Sequence, residues 1–282
     1  MTSVIGDPSV LLWVASAVIA FLGARTFVEY LRRLNYDGPA RLWRELLLGS
    51  GALTCGLWAA LVINISARGL PFEVGFHPLK VFGGLLSVFV VMVMLVAWVT
   101  YRPGWLAQLA VAALATLLAV ILQVSVIWSI GAEPGLYWQT EPLSFAMLLM
   151  FIGFAGGGRM VVAPRRGSRG DRSSRRLMAA LAIGACTVAT QELVLLASGL
   201  DRQVVSAHAR FLPEVAITLV AGAAVPIALV LMLVDQRAQQ RVRAAERSRR
   251  RRQQREGGGN ESMFSESLLA EIHADGNQRT QR

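Results

Sequence analysis

A few polar side chains inside long apolar segments are the residues best suited to chemistry in this sequence. Glu192 directly follows Gln191 in one such segment, and Asn64 and Gln123 lie in two others at comparable distances from the segment ends. Because polar groups within a membrane are costly, each of them is a functional candidate. We predict a ligand-binding set made of Glu192, Gln191, Asn64, Gln123 and Thr187.

Glu192 is the one carboxylate that the sequence places deep inside an apolar segment. One interpretation is structural, with Glu192 hydrogen-bonded to Gln191, Asn64 or water at a polar helix interface. The other is functional, with Glu192 taking up a proton or a cation in a cavity that opens to the outside. We expect no basic side chain at this depth, so the carboxyl group should be protonated or should face a bound cation.

The sequence supports metal binding and catalysis less well than it supports the ligand-binding set around Glu192. His77 and His208 flank two apolar segments on the outer side, where solvated loop histidines are the alternative to a metal site. We predict no metal and no cofactor. No apolar segment contains a histidine, no HExxH or P-loop motif occurs, and a lone Glu192 cannot form a carboxylate dyad. We therefore predict that the protein is not an enzyme.

Long apolar segments dominate the composition: 54% of the 282 residues are hydrophobic, 16% are charged, and the mean hydropathy is +0.50. A helix of roughly 20 residues crosses a hydrocarbon core of about 30 Å. Segments near that length recur at residues 9–24, 45–66, 81–100, 104–130, 142–158, 177–199 and 213–234. The sequence predicts an all-α membrane protein with seven transmembrane helices.

The odd-numbered segments begin alike, with a proline near the first helical position at Pro8, Pro78, Pro142 and Pro213. Proline at that position loses only an amide that has no helical partner, so the outer ends of these helices look like copies. We predict three helical-hairpin repeats plus a closing helix. The predicted domains are a seven-helix membrane domain, a basic cytoplasmic helical extension and a flexible tail with a short amphipathic segment, at residues 1–235, 236–256 and 257–282.

Basic residues fall almost entirely on one side of the predicted membrane. All arginines and lysines share the side of the C-terminus except Arg68, Lys80, Arg202 and Arg210. By the positive-inside rule, the N-terminus lies outside and the C-terminus lies in the cytoplasm, as in a multi-pass protein of the bacterial inner membrane. The same rule explains the net charge of +10, so nucleic acid is not a predicted partner.

The most basic stretch follows the last apolar segment, with nine arginines in residues 235–255. Each arginine near an anionic leaflet contributes about 1 kcal/mol of attraction. We predict that this stretch binds anionic lipid headgroups at the cytoplasmic face. The expected membrane-surface residues are Arg249, Arg250, Arg251 and Arg252.

Residues 56–67, with the sequence GLWAALVINISA, are followed by Pro71 and then by Phe76-His77-Pro78 at the start of a segment. This pattern resembles the MHYT family of bacterial membrane sensor domains, over about residues 8–235. The resemblance implies seven spans arranged as helical hairpins, a cytoplasmic C-terminus and a sensory role.

The chain departs from that family at the residues proposed to hold copper. Ala60-Leu61 and Asn64-Ile65 stand where the family has Met-His and Gly-Met, and Thr187 lies in the corresponding stretch of the sixth segment. Thioether and imidazole ligands suit copper, whereas these side chains do not. The copper function is therefore not carried over.

We predict a sensory or regulatory membrane module whose polar outer cavity, centred on Glu192, replaces the family's metal site. Members of the family commonly carry a fused output domain, so we expect this chain to signal through a separate cytoplasmic protein. A transporter or channel component, and a membrane anchor or assembly protein acting through the basic tail, are the alternatives. Polar residues confined to the outer half of the segments argue against a transport pathway.

The charge distribution predicts the topology directly. Reporter fusions at residue 135 and at the C-terminus should place the former outside and the latter in the cytoplasm. A C-terminal reporter found outside would contradict the predicted orientation.

Overall fold

The structure is a computed structural model that describes residues 9–33, 39–68, 74–101, 104–133, 136–162, 169–198, 205–206, 212–239 and 245. Six helices have the bounds α1 Val10–Arg33, α2 Pro39–Ala67, α3 Pro78–Tyr101, α4 Trp105–Trp128, α5 Thr140–Val162 and α6 Arg169–Ala197. The last, α7, begins at Glu214 and is helical to Gln239. Four two-residue strands lie between helices: β1 Gly75–Phe76, β2 Ala132–Glu133, β3 Val205–Ser206 and β4 Leu212–Pro213.

Seven helices among the described residues are long and apolar enough to cross a membrane. This confirms the predicted all-α membrane protein. The helices extend beyond the uncharged segments, most clearly in α1, which was expected over 9–24 and continues to Arg33. The reason is that charged side chains in its last turns find partners, as Glu29 does with Arg32, so the helix need not end where the charges begin.

The three hairpins α1–α2, α3–α4 and α5–α6 share one backbone contact. The residue that precedes each odd helix donates its amide to a carbonyl at the end of the following even helix. These bonds are Ser9 N to Ala67 O at 2.7 Å, His77 N to Ser129 O at 2.9 Å, and Gln139 N to Ala197 O at 2.8 Å. The repeated bond gives the hairpins the equivalent geometry that the proline pattern predicts.

The short strands lie at the same end of the bundle as those three bonds, which we call the strand end. Strand β1 pairs antiparallel with β4, and β2 pairs antiparallel with β3. The segment between α6 and α7 therefore pairs with the connections α2–α3 and α4–α5. We call the opposite end, where α1 ends at Arg33 and α6 begins at Arg169, the arginine end.

Helix α7 contains a π-helical turn over Val220–Ala224, in which the amide of Val225 donates to the carbonyl of Val220. Pro226 follows directly. Proline has no amide hydrogen, and its ring crowds the carbonyl four residues earlier, so the wider turn accommodates it. Near the start of α7, Thr218 lies 2.8 Å, oxygen to oxygen, from Ser66 of α2.

The chain divides into two compact units, Met1–Val230 and Leu231–Arg282. In the second unit, residues 231–239 are helical. There the side-chain amide of Gln239 donates to the carboxylate of Asp235 at 2.8 Å.

Glycines allow α1, α2 and α6 to pack with their backbones in contact. A Cβ atom at Gly56 would lie 2.8 Å from the Cα of Gly23, and one at Gly184 would lie 3.1 Å from the Cα of Phe21. All of these residues are near the middle of their helices. Small residues of this kind drive helix association in membranes, where lipid is as apolar as the helix surface. We call this contact the glycine crossing, defined by Gly23, Gly56 and Gly184.

Adding one methyl group at the glycine crossing should separate the helices. We expect Gly56→Ala to lower the free energy of unfolding by about 1–3 kcal/mol, because the new methyl group would overlap the backbone of Gly23. Gly83→Ala is the matched control: an added Cβ there meets no atom within 4 Å, and alanine favours helix by up to about 1 kcal/mol. Unfolding of both purified variants in detergent measures the difference, and equal stability would contradict the tight crossing.

Candidate functional site

The carboxylate of Glu192 is the centre of a polar cluster at the strand end that joins α6 to α1 and α2. Its Oε1 accepts the indole N–H of Trp13 at 3.0 Å and the side-chain amide of Asn64 at 2.9 Å. Its Oε2 accepts from the guanidinium of Arg68 and forms an ion pair with it. All three partners are donors, so the arrangement suits an ionised carboxylate.

The expectation that no basic side chain would reach Glu192 is wrong. Arg68 lies in the turn just after α2, four residues beyond Asn64, and residues four apart share a helix face. The arginine chain is long enough to extend back to the depth of Glu192. A loop arginine thereby supplies the positive charge that was expected from a bound cation.

The Glu192 side chain is 30% exposed and that of Arg68 is 11% exposed. Asn64 is fully buried. The carboxylate is therefore partly exposed, whereas its arginine and asparagine partners are mostly or fully buried.

Gln191 also bridges α6 to α1 and α2, one turn deeper than Asn64 and through partners of its own. Its side-chain amide donates to the carbonyl of Leu57 at 3.3 Å, and its side-chain oxygen accepts from the hydroxyl of Ser16 at 3.4 Å. Ser16 also lies 2.7 Å from the carbonyl of Ala60. Gln191 is fully buried, so it positions the helices and does not contact solvent.

Two other predicted site residues lie apart from Glu192. The hydroxyl of Thr187 donates to the carbonyl of Ile183 at 2.8 Å within α6, and lies 3.9 Å from the sulfur of Met150 on α5. Gln123 on α4 is fully buried, and neither atom of its amide has a hydrogen-bond partner among the described residues. The structure thus joins Glu192 with Asn64, places Gln191 beside them, and leaves Thr187 and Gln123 outside the cluster.

A second charged cluster, at the arginine end, was missed by the sequence reasoning. Glu29 of α1 is 7% exposed, and its carboxylate accepts from Arg32 at 2.7 Å and from Arg176 of α6 at 3.3 Å. Glu45 of α2 is buried as well, at 5% exposed. Glu192 is therefore not the only carboxylate inside the helices. The spacing of three between Glu29 and Arg32 was the available signal, because such residues are neighbours on a helix.

Buried polar side chains are also not confined to the strand-end half, contrary to the expectation from sequence. Thr26 and Ser50 lie in the other half and are buried, as is Glu29. The two halves are separated by the glycine crossing, where backbones of α1, α2 and α6 touch. The bundle therefore holds two polar clusters with close-packed backbone between them.

Of the remaining predicted site residues, the structure describes His77. His77 is half-buried beside β1, and its carbonyl accepts the amides of Lys80 and Val81, both at 3.1 Å. No group of three His, Cys, Asp or Glu side chains in the described part of the chain is placed to hold a metal ion. The residues that fall outside the described ranges are His208, Arg249, Arg250, Arg251 and Arg252.

Comparison of the chain with family models, with curated proteins and with solved structures finds no match. Membership in the MHYT family stays a prediction. The fold and the contacts define a multi-pass helical membrane protein with an ion pair near each end of the bundle.

A double-mutant cycle tests whether Arg68 and Glu192 stabilise the fold together. We expect Arg68→Gln and Glu192→Gln each to lower the free energy of unfolding by about 1–3 kcal/mol, because each leaves a charge without its partner. The double variant should lose less than the sum of the two. Glu141→Gln, at an exposed carboxylate in the first turn of α5, should cost less, about 0.3–1 kcal/mol from the helix dipole. Additive losses, measured by unfolding in detergent, would show that the two side chains do not interact.

Proposed function

We propose that this protein is a sensory or regulatory module of a membrane. In this proposal the strand-end cluster around Glu192 receives the signal, and a rearrangement of α6 against α1 and α2 carries it to the arginine end. The single observation on which this rests is that α6 is tied by ion pairs at two places. Glu192 pairs with Arg68 near one end of the helix, and Arg176 pairs with Glu29 near the other.

The two ion pairs are separated by most of the thickness of a membrane's hydrocarbon core, which is about 30 Å. Glu192 and Arg176 are sixteen residues apart on one helix, which corresponds to about 24 Å along its axis. A helix behaves as a rigid element over this length, so a shift at one end is transmitted to the other. Weakening the pair at Glu192 should therefore change how Arg176 meets Glu29.

A transporter or channel is the second candidate, because polar residues are buried in both halves of the bundle. The glycine crossing argues against it. Backbone contact between α1 and α2 and between α1 and α6 lies between the two polar clusters, and conduction needs a continuous polar path. The same crossing favours a mechanical connection between the clusters over a passage for ions.

The proposal also includes the orientation of the protein in the membrane and its resemblance to the MHYT family. The positive-inside rule places the strand end outside and the arginine end in the cytoplasm, so an external signal would meet Glu192 first. The three equivalent hairpin bonds support the resemblance to the MHYT sensor domains. We propose a bacterial inner membrane location and a separate cytoplasmic signalling protein as the partner, with the basic tail binding anionic lipid beside it.

Distance measurements at the arginine end test the proposal. We expect Glu192→Gln to shift or broaden the distance between spin labels at Leu47→Cys on α2 and Ser174→Cys on α6, by about 1–2 Å. Both sites are exposed. The native Cys55 and Cys186 are first replaced by serine. The full-length protein in lipid nanodiscs is measured by pulsed electron paramagnetic resonance.

Two variants serve as controls for that experiment. Glu141→Gln makes the same chemical change at the strand end, on an exposed residue outside the cluster, and should leave the distance unchanged. Glu29→Gln breaks the other ion pair and should produce a shift by itself. An unchanged distance in Glu192→Gln, together with a shift in Glu29→Gln, would contradict communication between the two ends. Ion flux through liposomes carrying the protein would favour the transporter instead.

A further inference from the structure

A cavity of about 550 Å³ lies in the arginine-end half of the bundle, away from the Glu192 cluster. It extends along α4 from Trp105 to Ala115, ten residues or about 15 Å, which is about half of a hydrocarbon core. Helices α1, α3 and α5 supply most of its other walls. Its volume falls within the range of about 300–1,000 Å³ that is typical of ligand sites.

The floor of the cavity is formed by side chains that are nearly inaccessible to solvent. Several lining side chains are themselves buried: Met92 is 1% exposed, Leu53 is 2%, Ile183 is 2%, and Ala112 and Ala115 are 5% each. These residues come from α2, α3, α4 and α6, so an occupant of the cavity would lie against several helices at once. An occupant of the cavity therefore belongs to a defined site.

The chemistry of the lining changes from the deep part to the mouth. The deep walls are aliphatic and aromatic, whereas Arg159, Gln108 and Trp105 lie where α5 ends and α4 begins. Arg159 is exposed and has no carboxylate partner among the described residues. An apolar chamber with a free guanidinium, an amide and an indole at its mouth matches an amphiphile with a hydrocarbon chain and an anionic head.

We infer that this cavity binds one anionic glycerophospholipid, with an acyl chain between α3, α4 and α5 and the phosphate at Arg159 and Gln108. The positive-inside rule places this end in the cytoplasmic leaflet, where anionic lipids attract arginine. The site is independent of the Glu192 cluster. The site holds a lipid between helices of the bundle, in addition to the lipid contact that we propose for the basic tail.

Two neighbouring glycines on α5 provide a matched pair of variants. An added Cβ at Gly158 or at Gly156 meets no atom within 4 Å. Gly158 lines the cavity and Gly156 does not. Gly158→Leu should therefore place its side chain in the cavity, with a Cβ that meets no atom within 4 Å, and Gly156→Leu should add the same side chain elsewhere.

Native mass spectrometry of the full-length protein tests the inference, with phosphatidylglycerol and phosphatidylcholine of identical acyl chains as probes. Wild-type protein should retain one phosphatidylglycerol about fivefold more tightly than phosphatidylcholine. Arg159→Gln should abolish that preference and still bind both lipids. Gly158→Leu should weaken both by tenfold or more, and Gly156→Leu should behave as wild type.

Three results would overturn the inference. Equal retention of the two lipids by the wild type would show that the cavity does not select an anionic headgroup, and would point to an uncharged amphiphile. Unchanged binding by Gly158→Leu would show that the retained lipid lies outside the cavity. Equal losses in Gly158→Leu and Gly156→Leu, in proteins whose unfolding temperatures match the wild type, would show that α5 contacts lipid without a defined site.

Discussion

The contact among the backbones of α1, α2 and α6 is the constraint on which the rest of the structure depends. Lipid offers helices no hydrophobic reason to associate, so close packing of small residues has to hold them together. Gly23, Gly56 and Gly184 permit that approach. Because these helices are so close, side chains of α6 reach partners on α1 and α2 at the strand end and on α1 at the arginine end.

Burying carboxylates in such a bundle is costly unless donors surround them. Glu192 meets this requirement with an indole, an amide and a guanidinium, and Glu29 meets it with two guanidinium groups. Both solutions use residues from more than one helix. The partners of each carboxylate therefore depend on the relative positions of the helices.

The three hairpins have the same backbone bond between their ends, but they contribute different residues to the charged clusters and to the cavity. The first and third supply both charged clusters, since α1, α2 and α6 belong to them. The second, α3–α4, supplies much of the apolar cavity through Met92, Ala112 and Ala115. Hairpins of one backbone plan thus form both the charged clusters and the apolar cavity.

Sequence alone determined the seven helices, the hairpin repeat and the depth of Asn64 and Glu192, because apolar length and proline position are local properties of the chain. The predicted end of α1 was too early, because the first charged residue was taken as the end of the helix. The ion pairs that Glu29 forms are visible only in the structure. Only tertiary structure decided that Arg68 reaches Glu192, that Glu29 meets Arg176, and that Thr187 and Gln123 lie apart. The physical reason is that residues at one depth meet only if their helix faces turn toward each other, and the close approach at the glycine crossing sets those faces.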